Sequence, residues 1–369
     1  MIKVLLKNIK FLLFKQKAQT IDKYADSSLA WLKDAQKNNK DGGIPAYFSL
    51  SSGYSNSYPE TTGYLLKTIT EAKKIFKDLI FEVDASEMYK FLINYQNKDG
   101  GWGHPDDFSE SMIFDTGQVI EGLLSVSDEE FIFSDHDNHI IRAVNHIIER
   151  QNQDGSFNET AFIGKSYSYN SRVCAIIIEC GYKFNNQKFV DSGIRGLDFI
   201  LNKYTSNGWF DDVGNLLDEN KPITHFVAYT LEGFIRGYIS TGNEIYLKKV
   251  VAAMDNINIT FEKENKLTIA LDSNWNNIGN SQLLTGLSQL AIINWILFKI
   301  TSIARYKSLA LRMNNNVKEF VDLNDHTNQG VYGGVPSCAP FSKKYYYGCY
   351  LNWATKFFID ALVYEKLNK

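Results

Sequence analysis

The chain has 369 residues, 44% hydrophobic and 14% aromatic, with six prolines and a formal net charge of −3. That length suffices for one large core, and the slightly acidic balance lacks the basic field on which nucleic-acid binding depends. Cys174, Cys180, Cys338 and Cys349 have neither the C-x2-C spacing of a zinc site nor the density of a disulfide framework; a cytoplasmic setting without metal or cofactor is expected.

Residues 1–19 are expected to form a basic amphipathic helix of their own. In MIKVLLKNIKFLLFKQ, Ile2, Leu5, Leu6, Ile9, Leu12 and Leu13 recur at helical spacing, with Lys3, Lys7 and Lys10 on the other side. The lysines break the apolar run too soon for a signal peptide or a membrane span. The pattern fits either a helix lying on the inner face of a membrane or one packed on the rest of the chain.

Residues 20–369 are expected to be one domain, because a single phrase recurs through them. QNKDGGWGHPDDF (Gln96 to Phe108) and QNQDGSF (Gln151 to Phe157) are two copies, joined by Asp41-Gly42-Gly43 and Asn207-Gly208-Trp209-Phe210, at a spacing of about 55 residues. A copy near Asp272 to Trp275 has lost its glycine, and Gly330 to Gly334 holds a degenerate sixth. Each copy follows an amphipathic helical pattern and precedes a second helix that is apolar nearly all round, beginning TTGYLLKTI, DTGQVIEGLL, NSRVCAIII, THFVAYTLEGF, SQLLTGLSQLAIINWIL and LNWATKFFIDALV. Helices apolar all round are buried on every side. Six outer helices alternating with six inner ones predict an all-α (α/α)6 barrel, or toroid, with the six outer-to-inner turns gathered at one mouth.

The mouth is where a substrate would bind. Glu60 and Asp115 fall at matching starts of the first two inner helices; two carboxyls across a cavity can perform acid–base work on a glycosidic bond. His225 and Tyr229, four residues apart on the fourth inner helix, together with Arg172 on the third, form a set suited to abstracting a proton beside a carboxylate. Tyr58, Trp102, Tyr169 and Trp353 offer stacking faces, and Asn280, Gln282, Asn352 and Lys356 offer hydroxyl partners. Acidic pairs in the loops, Asp106–Asp107 and Asp211–Asp212, read more simply as solvated surface.

The repeated phrase resembles the glutamine-tryptophan repeats of terpenoid cyclases and protein prenyltransferase β subunits. YPETTGYLL, ITHFVAYTLEGF, LLTGLSQLAI, GGVPSCAPF and YLNWATKFFIDAL are more specifically similar to bacterial prenyltransferase or squalene-cyclase repeat proteins of cell-surface polysaccharide gene clusters. The resemblance runs from Ala30 to Leu362 and implies an α/α toroid. It does not extend to the motifs that carry isoprenoid chemistry: HPDDF and WFDDV are not the DxDD acid of the cyclases, and no cysteine stands in a zinc-binding context. Sugar-acting α/α barrels use carboxylate pairs or His, Tyr and Arg groups, and both occur here. The expectation is therefore a carbohydrate-active enzyme modifying or cleaving a cell-surface polysaccharide or its precursor. Uronate lyase or epimerase chemistry stands first, glycoside hydrolysis second, with an isoprenoid enzyme or a noncatalytic glycan-binding component as the alternatives.

Overall fold

The computed structural model describes residues 2–13, 17–158, 164–214 and 221–369. Helix α1 (Ile2–Leu13) precedes the six pairs. The outer helices are α2 (Ile21–Asn39), α4 (Ala85–Asn94), α6 (His136–Glu149), α8 (Gln187–Leu201), α10 (Glu244–Glu264) and α12 (Ala304–Lys318). The inner helices are α3 (Pro59–Ile75), α5 (Ile113–Ser125), α7 (Ser171–Lys183), α9 (Thr224–Thr241), α11 (Leu284–Thr301) and α13 (Asn352–Leu367). Each inner helix packs on the next, and α13 packs back on α3, closing the ring. The chain thus folds as the expected (α/α)6 barrel. Helix α11 is apolar and long enough to cross a membrane by composition alone, yet it is 72% buried as an inner stave.

The recurrent phrase turns out to hold the ring together. Gln36, Gln96 and Gln151 end outer helices, and each carboxamide donates both to its own glycine turn (Gly42, Gly100, Gly155) and to a carbonyl of the next unit (Asp84, His139, Ser192). The aspartates of the phrase close the turns by accepting from Gly43, Gly101 and Ser156 amides. Glycine is required because the turn lies against the backbone of the neighbouring outer helix: a Cβ on Gly100 would stand 2.6 Å from the Arg142 carbonyl oxygen, and one on Gly333 would stand 1.9 Å from that of Ser27. The second of these joins the sixth unit to the first. No side chain fits at such an approach.

Small antiparallel hairpins, outside the all-helical expectation, occupy the mouth loops. Strands β1 (Tyr47–Ser49), β2 (Gly53–Tyr54) and β7 (Cys349–Leu351) form a sheet ordered β2-β1-β7, in which Phe48 faces Tyr54 on one side and Tyr350 on the other. This sheet ties the first unit's loop to the sixth's. The hairpins β3 (Gly103–His104) with β4 (Asp107–Ser111) and β5 (Thr268–Leu271) with β6 (Asn277–Gln282) serve the second and fifth units. All four cysteines are buried free thiols.

Candidate active site

Six inner helices begin at the mouth, and none has a side-chain cap on its first turn, whereas outer helices α2, α4 and α10 are capped by Thr20, Asp84 and Asn243. Residues at five of these ends, all but that of α11, line a cavity of about 510 Å³. Half of its lining side chains are Phe, Tyr or Trp; the polar ones include Glu60, Thr61, His104, Asp106, Asp115, Asn170 and His225. No lysine or arginine stands among the described lining residues.

Glu60 and Asp115 are both nearly excluded from solvent, and the Tyr58 hydroxyl donates to Asp115 Oδ2 at 3.1 Å. Helix N-termini favour carboxylates, by at most about 2 kcal/mol each. Desolvation of a buried carboxylate costs more than that, and it wins here. Burial lifts Glu60 to about 7 against the opposing pull of Tyr58 and, more distantly, Arg172. Burial and then the charge of Glu60 push Asp115 well above the carboxylate range, again opposed by the Tyr58 hydrogen bond. The cavity therefore holds two carboxyl groups that both resist ionising, so that the pair retains a proton near neutrality.

His225 Nδ1 donates to Gln289 Oε1 at 2.6 Å, which leaves the lone pair on Nε2. Burial drives its pKa down to about 3, with Gln289 alone among its close partners resisting. Its ring lies 4.2 Å from the ring of Tyr229, whose hydroxyl burial pushes well above its usual range. Phe114 packs edge-on against both Tyr169 and Tyr229. On the sixth unit, Trp353 donates its indole N–H to the Tyr345 hydroxyl at 3.0 Å, and Tyr346, in a left-handed conformation (φ 40), packs edge-on against Trp353.

Of the residues proposed from sequence, the cavity gathers Glu60, Asp115, His225, Tyr229, Tyr58, Tyr169 and Trp353. The others lie elsewhere. Arg172 is fully buried below the floor, paired with Glu121 and Glu232 and bonded to Gln118, with its guanidinium 5.1 Å from the Tyr229 ring centre. The reason is local: Ser168–Asn170 form a 3-10 turn ahead of α7, so Tyr169 and Asn170 take the lining position and Arg172 is carried inward. Trp102 is a core residue, completely buried, whose indole N–H donates to the Leu92 carbonyl at 2.7 Å. Asn352 is buried and donates to the Pro45 carbonyl and Thr61 hydroxyl, another ring-closing bond. Lys356 pairs with Asp360 at 2.7 Å inside the barrel. Asn280 is exposed on β6, and Gln282 pairs through its backbone with Ala339, lining a smaller groove beside α1.

Sequence reasoning did not single out His104, Phe114, Phe226, Tyr345 or Tyr346, and it set Asp106 aside as solvated. His104 packs edge-on against Tyr58 and lies 3.4 Å from Asp106. The run KKYYYGCY was the one available signal for Tyr345 and Tyr346. Among the described residues no group of three or more His, Cys, Asp or Glu is arranged to hold a metal ion.

No protein-family model matches the chain, and no curated protein sequence matches it. Solved structures do match. An unsaturated glucuronyl hydrolase specific for heparin superposes with a TM-score of 0.72 at 13% identity, over 94% of this chain and 97% of that one. Cellobiose 2-epimerase from Bacillus thermoamylovorans gives 0.67 at 12% identity, over 98% and 100%. A D-mannose isomerase gives 0.66 at 14% identity, over 94% and 97%. At such identities the likeness establishes the fold. These neighbours are carbohydrate-active α/α toroids, whereas no terpenoid-cyclase or prenyltransferase structure is among these three.

Proposed function

We propose that the protein is a carbohydrate-active enzyme in which Glu60 and Asp115 are the acid–base pair. The observation that carries this reading is the pair itself: two carboxyl groups at matching starts of adjacent inner helices, one accepting from Tyr58, in an aromatic-walled cavity. Asp115, kept neutral by burial and by Glu60, donates a proton to a departing glycosidic oxygen; Glu60, ionising near 7, takes the proton of the attacking water. Tyrosine and tryptophan faces stack against the sugar ring, and tyrosine hydroxyls, Asn170 and His104 bond its hydroxyl groups. The related enzymes of glucuronyl, cellobiose and mannose substrates support a saccharide as the substrate class. A cell-surface polysaccharide or its lipid-linked precursor fits the sequence resemblance.

Hydrolysis stands ahead of uronate elimination or epimerisation for two reasons. The guanidinium that would neutralise a uronate carboxylate is consumed by Glu121 and Glu232. A general base works best with a pKa near the working pH, which suits Glu60 at about 7 and not His225 at about 3. Mass spectrometry of neutral and uronate-containing oligosaccharides incubated with the protein tests this. Water-added fragments, lost at least a thousandfold in Glu60→Gln and Asp115→Asn, are expected; an unsaturated or epimerised product that survives both substitutions would overturn the assignment.

One observation favours the isoprenoid reading as a second: an aromatic-walled cavity with a neutral carboxylic acid is also suited to protonating an alkene and sheltering the cation that forms. A cyclised polyprenyl product, abolished by Asp115→Asn while every saccharide stays intact, would place the protein there.

A further inference from the structure

Helix α1 is held to the barrel by one face only. Val4 is buried against Gly348, Asn8 bonds both the amide and the carbonyl of Phe341, Phe11 packs on Phe320 and Phe341, and Lys7 and Lys10 pair with Asp322. These contacts fix the helix without using its other face. That face presents Ile2, Leu5, Leu6, Ile9, Leu12 and Leu13, which are 42–76% exposed. At 100° per residue the six cover about a third of the helix circumference. Lys3, which is exposed, borders one edge of the stripe beside the Asp322-paired Lys10, where a long side chain holds its charge at a polar boundary while its stem lies along apolar surface.

We propose that this face docks on an anionic lipid bilayer. Charge decides the occupant: α1 carries no acidic residue, and the loop it grips adds Lys343 and Lys344, both exposed, next to Phe341. An apolar stripe bordered by lysine on a helix with no carboxylate of its own complements a surface of anionic headgroups over acyl chains, while Glu264 and Glu319 line the groove beside Leu12 at its C-terminal end. A second copy of the same basic helix would set like charges together. The same loop carries Tyr345 and Tyr346, which line the cavity, so docking through α1 brings the mouth of the barrel close to the bilayer surface.

The test is sedimentation of the full chain with vesicles of phosphatidylcholine alone and with about one third phosphatidylglycerol, beside light scattering without lipid. Binding to the anionic vesicles at least tenfold tighter than to the neutral ones is expected. It should weaken at least tenfold in Leu5→Ser/Leu12→Ser and several-fold in Lys343→Glu/Lys344→Glu, with thermal unfolding unchanged because these side chains are exposed. Failure to sediment with either vesicle, or binding indifferent to both variants, would overturn the proposal. So would a dimer in solution that Leu5→Ser/Leu12→Ser dissolves, since the stripe would then be covered by a second copy.

Discussion

Burial displaces Glu60 and His225 in opposite directions, and the two displacements have opposite consequences for folding. Glu60 rises from its ordinary value of 4.5 to about 7, so the folded state holds a proton that the unfolded state releases, and stability falls as pH rises from 4.5 through 7. His225 falls from 6.5 to about 3, so the unfolded state binds the extra proton, and stability falls as pH drops from 6.5 towards 3. The Glu60 effect is about 3 kcal/mol and the His225 effect about 5 kcal/mol, and between 4.5 and 6.5 the two slopes offset each other. Chemical denaturation of the single variants against the wild type, whose profile also carries the raised Asp115, should separate them: relative to the wild type, Glu60→Gln is expected to gain stability as pH rises from 4.5 to 7, and His225→Gln to lose it as pH rises from 3 to 6.5. Parallel pH profiles for the two variants would contradict the assignment. Tyr58 acts on the same pair through a bond that favours the ionised carboxyls. Tyr58→Phe should therefore move the acidic limb of the pH–rate profile upward and reduce turnover at pH 7 by about tenfold; a downward shift would contradict the bond's role.

At the scale of helices, the inner ring depends on backbone meeting backbone. A Cβ on Gly122 of α5 would stand 2.0 Å from the Gly63 carbonyl oxygen of α3, and one on Gly63 would stand 2.6 Å from the Val119 Cα. Neither neighbour is a flexible side chain that can yield. Gly122→Ala is expected to cost about 3 kcal/mol in urea unfolding. It should also impair catalysis in the surviving folded fraction, since Gly63 lies one turn beyond Glu60. The glutamine staples act between units: Gln96→Ala removes three bonds, to the carbonyls of Gly100 and His139 and to the His139 ring Nδ1, and should cost about 2–3 kcal/mol with little change in turnover. A loss of activity without a loss of stability would mean the phrase does more than join neighbours.

Across the whole molecule, buried charges run through the barrel beneath the cavity. Glu121 of α5 is shared by Lys67 of α3, Arg172 of α7 and Arg236 of α9, and Arg236 also grips Glu179. Burial alone would raise the Glu121 pKa, but Arg172, Arg236, Lys67 and, more distantly, Lys356 hold it well below the carboxylate range. Such a network joins four inner staves at one level, and removing one member strands the others. Arg172→Met should destabilise the fold by about 3–5 kcal/mol in denaturant titration. A variant of wild-type stability that had lost only activity would return Arg172 to the chemistry.

How much of this was legible in the chain alone follows from the range of each signal. Helical periodicity and the recurrent Gln-Asp-Gly phrase are local or repeated at fixed spacing, so they determined the six helix pairs, their inner and outer roles and the mouth. Glu60, Asp115 and His225 were legible because they recur in the first turn of their own inner helices, and the repeat itself carries such positions to one rim. Tertiary structure decided the rest. One 3-10 turn before α7 was enough to exchange Arg172 for Tyr169 and Asn170 at the cavity. Lys356 and Asn352 found partners inside the barrel and across its closing seam, and Asn280 and Gln282 lie on a hairpin strand away from the cavity, which residue type does not reveal. His104 enters from a local hairpin, Tyr345 and Tyr346 from a loop whose following strand pairs with the distant first unit, and the pKa values that give the carboxyls their roles arise from burial, a property no stretch of sequence has until the ring closes.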